Sequence, residues 1–154
     1  MSKVFYPSEI IQFAIEKEQQ SVDLYQKLAN RARNDEEKAL FEKLARDELH
    51  HKQFYADILS SVAEEKSPGE QEENEYAAYM RQLIEESRTV KLPDDIDTMP
   101  FNDILAYAIK REKDSVMFYL GLKQYVPADA QAKVEIIIAE ESRHAAVIAN
   151  LRRA

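Results

Sequence analysis

Residues 14–29 and residues 108–123 are two versions of one segment, and this internal repeat strongly restricts how the chain can fold. Seven of the sixteen aligned positions are identical at an offset of 94. A second similarity, weaker in identity, relates residues 41–58 to residues 134–151 at an offset of 93. All four segments place apolar residues at helical spacing. The chain is therefore predicted to contain two helical hairpins related by an internal duplication.

The composition supports long helices and excludes several kinds of site. Two glycines and five prolines in 154 residues leave little material for the turns of a many-stranded sheet. The chain has no cysteine, which excludes disulfides, zinc fingers, iron–sulfur clusters and thiol catalysis. These two features favour an all-α protein whose chemistry depends on other side chains.

Charge and hydropathy indicate which partners the chain is suited to. The net charge of −8 disfavours binding to nucleic acid or to an anionic membrane, although acidic side chains attract metal cations. No apolar run approaches the roughly 20 residues of a membrane-spanning helix. The first ten residues, MSKVFYPSEI, lack the apolar core of a signal peptide. We therefore expect a cytoplasmic protein.

Four long helices are expected within a single domain that covers residues 1–154. Breakers and candidate helix starts divide the chain at the short joints near residues 31–33 and 126–128 and at a longer connector, residues 67–100. Short joints favour antiparallel neighbours. The connector is long enough to cross a helix of about 38 Å, so the second and third long helices are expected to run parallel. A short helix near residues 74–87 could pack on the bundle or on a partner subunit.

The apolar stripe of every long helix is interrupted by polar residues at the same height. The stripes comprise Ile11, Ala14, Glu18, Ser21, Tyr25 and Leu28; Phe41, Leu44, Glu48, His51, Tyr55, Ile58 and Val62; Leu105, Ala108, Glu112, Ser115, Tyr119 and Leu122; and Val134, Ile137, Glu141, His144, Ile148 and Leu151. Such stripes face the core of a bundle. Four glutamates and two histidines are therefore predicted to converge on one internal layer.

A pair of divalent metal ions would explain these six residues. Buried carboxylates without a cation cost several kcal/mol each, and like charges raise one another's pKa. A glutamate and a histidine three residues later share a helix face, as in Glu48/His51 and Glu141/His144. Two divalent ions would balance the four carboxylates, and the imidazoles would be further ligands. Carboxylate and imidazole suit iron, manganese or zinc, and a redox-active pair favours iron or manganese.

Five residues near the six candidate ligands have other expected roles. Tyr25 and Tyr119 are either core tyrosines bound to backbone carbonyls or phenols that hydrogen-bond the ligand carboxylates. Asp47 and Glu140 each precede a candidate ligand and are expected to be outward, solvated charges. His50 lies about 100° from His51 around the helix and is expected on the surface.

The sequence resembles the ferritin-like superfamily of di-iron carboxylate proteins, and within it most closely the rubrerythrin family. The resemblance covers nearly the whole chain, and its clearest segments are AIEKEQQSVDLYQKLA, FEKLARDELHHKQF, AIKREKDSVMFYLGL and IIIAEESRHAAVI. It implies a ferritin-like four-helix bundle, with two antiparallel hairpins joined by a crossover that contains a short helix. It also implies that the metal ligands are Glu18, Glu48, His51, Glu112, Glu141 and His144.

The resemblance further implies two iron ions, with Glu48 and Glu141 bridging them and Glu18 and Glu112 as terminal ligands. Typical rubrerythrins carry a rubredoxin domain with four cysteines, so this chain would need a separate electron-donor protein. They also tend to supply an additional glutamate one turn after the third-helix ligand, where this chain has Ser115. The site is thus closer to the symmetric one of bacterioferritins, but no methionine on the second helix is available to bind haem.

The resemblance therefore implies an oxidoreductase that reduces hydrogen peroxide, or oxygen, at a di-iron site. Two other interpretations remain open: a ferroxidase or iron-storage protein, and a metal-free helical module that mediates assembly. We expect a homodimer. The pattern does not distinguish hairpins that pack within one chain from hairpins exchanged between two chains.

Overall fold

The chain forms an all-α bundle, as predicted. The computed structural model describes residues 7–62, 75–89 and 92–153. Its helices are α1 (Pro7–Asn30), α2 (Asp35–Val62), α3 (Glu75–Thr89), α4 (Phe101–Leu122) and α5 (Gln131–Arg153), with two 3-10 turns at Lys123–Tyr125 and Ala128–Ala130. Among the described helices, none is both long enough and apolar enough to cross a membrane.

A tight turn joins α1 to α2 and sets up the first hairpin. The Asn34 side-chain oxygen accepts a hydrogen bond from the Glu37 backbone N–H at 2.9 Å, which caps the first turn of α2. The Arg33 guanidinium donates to the Glu37 carboxylate at 2.6 Å. The cap begins α2 directly after the turn, so that α2 returns along α1.

Two apolar clusters fill the bundle on either side of a polar layer. The first core cluster comprises Ile10, Ile11, Phe13, Ala14, Tyr55, Ile58, Met80, Ile84, Phe118, Tyr119, Leu122, Val126, Val134 and Ile137. The second core cluster comprises Leu24, Tyr25, Leu28, Ala29, Phe41, Leu44, Ala45, Ile96, Ile104, Leu105, Ala108 and Ile148.

The order in which each helix meets these clusters gives the topology. Helices α1 and α5 run from the first core cluster to the second, whereas α2 and α4 run from the second to the first. Helices α2 and α4 are therefore parallel, and the two hairpins are related by an approximate two-fold axis. This confirms the arrangement of two antiparallel hairpins joined by a long crossover.

The short helix α3 packs on the bundle of its own chain. Met80 and Ile84 are each 1% exposed and belong to the first core cluster. The Met80 thioether lies against Gly121 of α4, where an added Cβ would approach its sulfur to 2.1 Å. The crossover was expected over residues 67–100; residues 63–74 and 90–91 lie outside the described part. Within that part, α3 covers the first core cluster.

Candidate metal centre

The structure brings all six predicted ligands together in the layer between the two core clusters. None of them is more than 4% exposed. Each helix of the bundle contributes at this height: α1 and α4 supply one glutamate each, and α2 and α5 supply a glutamate and a histidine each. The residues are Glu18, Glu48, His51, Glu112, Glu141 and His144.

The six side chains form two overlapping groups that could each hold a metal ion. One group is Glu18, Glu48, His51 and Glu141, and the other is Glu48, Glu112, Glu141 and His144. Within each group the potential ligand atoms lie within 4.8 Å of one another. Glu48 and Glu141 belong to both groups, whereas Glu18 and Glu112 belong to one each. This geometry is compatible with two bridging and two terminal carboxylates.

The two imidazoles face each other across the layer and point Nδ1 toward the carboxylates. Their ring centroids are 6.2 Å apart and their planes differ by 21°. His51 Nδ1 lies 2.9 Å from Glu141 Oε1 and 3.6 Å from Glu18 Oε2. His144 Nδ1 lies 2.9 Å from Glu48 Oε1 and 3.5 Å from Glu112 Oε1. Each histidine therefore contacts a carboxylate of the opposite hairpin.

The expectation that Asp47 and Glu140 are solvated charges was wrong. His51 Nε2–H donates to the Glu140 carboxylate at 2.5 Å, and His144 Nε2–H donates to the Asp47 carboxylate at 3.1 Å. Both carboxylates are only about one quarter exposed. A carboxylate that accepts the outer N–H of a histidine fixes the tautomer and orientation of the ring. Asp47 and Glu140 thus hold both Nδ1 atoms toward the site.

A sequence signal for these two carboxylates was available in the repeat. Asp47 and Glu140 are related by the offset of 93, so an acidic residue precedes the Glu-x-x-His glutamate in both halves. The contact itself joins helices of different hairpins, which periodicity along one helix does not reveal. His50, by contrast, is exposed as predicted.

Two buried tyrosines hold Glu18 and Glu112, also across the hairpins. The Tyr119 hydroxyl donates to Glu18 Oε1, and the Tyr25 hydroxyl donates to Glu112 Oε1. The other oxygens, Glu18 Oε2 and Glu112 Oε2, are buried without a hydrogen-bond partner. The sequence left open whether these phenols bind backbone carbonyls or carboxylates, and in the structure they bind carboxylates. Glu18 and Glu112 each keep one buried carboxylate oxygen that makes no hydrogen bond.

The electrostatics of the layer are unfavourable without a cation. Burial, followed by the charges of Glu18 and Glu112, raises the pKa of Glu48 well above its usual range. Burial, followed by the charges of Glu112 and Glu48, raises the pKa of Glu141 well above its usual range. Burial also raises the pKa of Glu18, but contacts with Glu48 and His51 outweigh this effect and lower it overall.

The carboxylates favour the protonated form of both histidines. Burial opposes the charge on His51, but contacts with Glu141 and Glu18 raise its pKa far above the usual value. The same opposition holds for His144, where Glu112 raises the pKa. Metal ions would replace these protons, since imidazole must be neutral to coordinate.

Two buried basic residues precede Glu18 and Glu112, and the sequence analysis did not identify them. Lys17 and Arg111 are 5% and 7% exposed and are related by the repeat offset of 94. Arg111 donates to the Lys17 carbonyl and to the Ser21 hydroxyl, both at 3.2 Å. Burial, and then the charge of Arg111, lowers the pKa of Lys17 to about 8. Arg111 thereby joins α4 to α1 beside Glu18.

The unsatisfied atoms test whether this donor set fits a metal. Buried polar atoms nearly always have a hydrogen-bond partner, so a cluster of exceptions indicates a missing ligand or ion. Among the described residues, the buried atoms that make no hydrogen bond include Glu18 Oε2, Glu48 Oε2, Glu112 Oε2, both oxygens of Glu141 and His51 Nδ1, which approaches Glu141 Oε1 to 2.9 Å without hydrogen-bond geometry. These carboxylate and imidazole atoms belong to one layer and are the donor types that divalent transition metals bind. The residues therefore fit a metal pair.

Comparison with known proteins supports the same family. Residues 9–96, more than half of the chain, match the rubrerythrin family. A crystal structure from Thermotoga maritima, described as a ferritin-like diiron-carboxylate protein, has a similar fold, with a TM-score of 0.72 and 23% sequence identity over 99% of this chain and 98% of that chain. No curated protein matches. The chain therefore belongs to the rubrerythrin family.

Proposed function

We propose that this protein is a di-iron oxidoreductase that reduces hydrogen peroxide to water with electrons from a separate donor protein. The observation that carries this proposal is the set of unpartnered donor atoms on Glu18, Glu48, His51, Glu112 and Glu141. Membership of the rubrerythrin family supports iron as the metal. The reaction consumes one peroxide, two protons and two electrons and yields two waters.

Each protein residue has a defined task in this proposal. Glu48 and Glu141, which both candidate groups share, would bridge the ions, while Glu18 and Glu112 would bind one ion each. Bound iron would supply electrons and Lewis acidity to the oxidant.

The remaining residues of the site position these ligands. The Tyr119 and Tyr25 phenols restrict the terminal glutamates to one free oxygen each. Asp47 and Glu140 orient the imidazoles. The core clusters exclude water from both ends of the layer, so the charges act in a low dielectric.

The oxidant is tested by stopped-flow oxidation of the protein loaded anaerobically with two ferrous ions per chain. We expect hydrogen peroxide to oxidise the site much faster than oxygen at equal concentration. Fast oxidation by oxygen and little reaction with peroxide would instead indicate a ferroxidase. Particle mass provides an independent comparison, because an iron-storage cage is far larger than the expected homodimer.

Removal of the Glu140 carboxylate, which orients His51, should lower the affinity of one metal ion. We expect Glu140→Ala to lower the affinity of one of the two ions by about 10-fold to 100-fold, because His51 loses the contact that orients its ring. The measurement is a titration with Co(II) against a chromophoric chelator. Glu135→Ala is the control, since Glu135 lies on the same helix in an exposed ion pair with Lys123. Equal affinities for Glu140→Ala and the control would contradict the assigned role.

A further inference from the structure

A third tyrosine, Tyr55, lies in the first core cluster with its hydroxyl unpartnered. Its side chain is fully buried, and the hydroxyl has no hydrogen-bond partner. Buried tyrosine hydroxyls usually find one, because an unmade hydrogen bond costs the full desolvation of the group. The hydroxyl is therefore expected to have a partner that is neither backbone nor side chain.

Tyr55 is placed beside the candidate metal layer. It follows His51 by one helical turn on the same face of α2. Its ring centroid lies 5.1 Å from that of Tyr119, the tyrosine that holds Glu18. Burial and then the charges of Glu18, Glu141 and Glu48 raise the pKa of Tyr55 well above its usual value. The phenol therefore keeps its proton and can donate a hydrogen bond to an anion in this layer.

Tyr55 has no tyrosine counterpart in the second half of the chain, so it breaks the two-fold symmetry of the site. The repeat partner of Tyr55 is Ile148, which is also fully buried but belongs to the second core cluster. The other two phenols, on Tyr25 and Tyr119, are symmetric and already bound to carboxylates. The group that contains His51 thus has an additional hydrogen-bond donor nearby, and the group that contains His144 has an apolar side chain in its place.

We propose that the Tyr55 hydroxyl donates a hydrogen bond to a small anion bound at the metal position formed by Glu18 and His51. This inference rests on the proposed function, since a peroxide-derived ligand is such an anion. It makes the two metal positions inequivalent: the exogenous ligand binds on the tyrosine side, and Ile148 leaves the other side without a donor.

Azide binding to the cobalt-loaded protein tests this assignment without redox chemistry. The protein is loaded with two Co(II) ions per chain and titrated with azide, and visible absorption is followed. We expect Tyr55→Phe to raise the azide dissociation constant about 10-fold, because a hydrogen bond to a charged group is lost. The control Tyr79→Phe removes a phenol from an exposed side chain on α3 and should leave the constant unchanged.

The metal-free protein supplies a second measurement that separates this role from a structural one. Because the hydroxyl is unpartnered, Tyr55→Phe should keep or raise the thermal midpoint of the metal-free protein. A lowered midpoint would overturn the inference, because it would show that the hydroxyl makes a structural hydrogen bond within the protein. Unchanged azide affinity alone would also overturn it. If the wild-type protein takes up no Co(II), the metal site itself is wrong and the proposed function fails first.

Discussion

The metal-free protein should melt roughly 10–30 °C below the protein loaded with two divalent ions near neutral pH. A ligand that binds only the folded state at 100 to 1,000 times its dissociation constant adds about 2.7–4.1 kcal/mol, and two ions are expected here. In a chain of 154 residues each kcal/mol shifts the midpoint by about 2–4 °C. Calorimetry with and without a chelator measures the difference.

The difference should widen as the pH rises. The pKa values of Glu48 and Glu141 are raised in the folded state, so the metal-free protein loses stability as the pH rises above about 4.3, the unfolded value. The raised pKa values of His51 and His144 act in the same direction: the stability that they contribute is present below about 6.5 and is lost as the pH rises above it.

Neither the titration of Glu18 nor the pH dependence of metal affinity opposes this trend near neutral pH. The lowered pKa of Glu18 contributes stability above about 4.3 that is lost only as the pH falls below this value. Metal binding strengthens with rising pH because the ligands must be deprotonated. Midpoints measured at pH 5.5, 6.5 and 7.5 should therefore diverge between the loaded and metal-free forms. Equal midpoints, or a gap that narrows with pH, would contradict the buried-carboxylate argument.

The positions of the six candidate ligands were predictable because each lies on an apolar stripe of its own helix. A stripe at spacing three and four faces the core, so a polar residue within it must be buried. The internal repeat indicated that these residues lie at the same level along the bundle, since Glu18 matches Glu112 and Glu48 matches Glu141. Burial and register therefore followed from one-dimensional patterns, and the structure confirms both.

Contacts between hairpins were harder to predict. Asp47 reaches His144 and Glu140 reaches His51 only because the hairpins pack face to face. Both carboxylates lie one position from a stripe, at the edge of the buried face, where periodicity predicts exposure as readily as burial. The hydrogen bonds from Tyr25 and Tyr119 to glutamates of the opposite hairpin depend on the same packing. The sequence therefore could not decide between a carboxylate and a backbone carbonyl as their partner.

The docking of α3 depends on a local steric fit. The sequence predicted a short helix here but did not distinguish packing on the bundle from packing on a partner subunit. The partner surface on α4 is made by Gly121, whose missing side chain leaves room for Met80. A lone glycine within a helix usually indicates weak propensity, so its role as a docking point emerges only from the packed structure.

Substitution of a shared carboxylate should have opposite effects on metal binding and on the metal-free fold. We expect Glu48→Gln to bind at most one tightly held ion per chain, because Glu48 belongs to both candidate groups. In the metal-free state the same change removes a group whose ionisation is costly, so stability at pH 8 should equal or exceed that of the wild type. The fall in stability between pH 5 and pH 8 should also flatten, since the pKa of Glu48 is raised by burial first and then by Glu18 and Glu112.

Metal analysis after gel filtration and urea unfolding at pH 5 and pH 8 measure the two effects. The control is Glu42→Gln, which removes a carboxylate from the exposed face of the same helix and should change neither result. Two tightly held ions in Glu48→Gln would exclude a bridging role. A metal-free variant that is less stable than the wild type at pH 8 would show that the ionised carboxylate is satisfied by protein groups alone. The opposite signs arise from one cause: the buried carboxylates of Glu48 and Glu141 are costly to ionise until cations neutralise them.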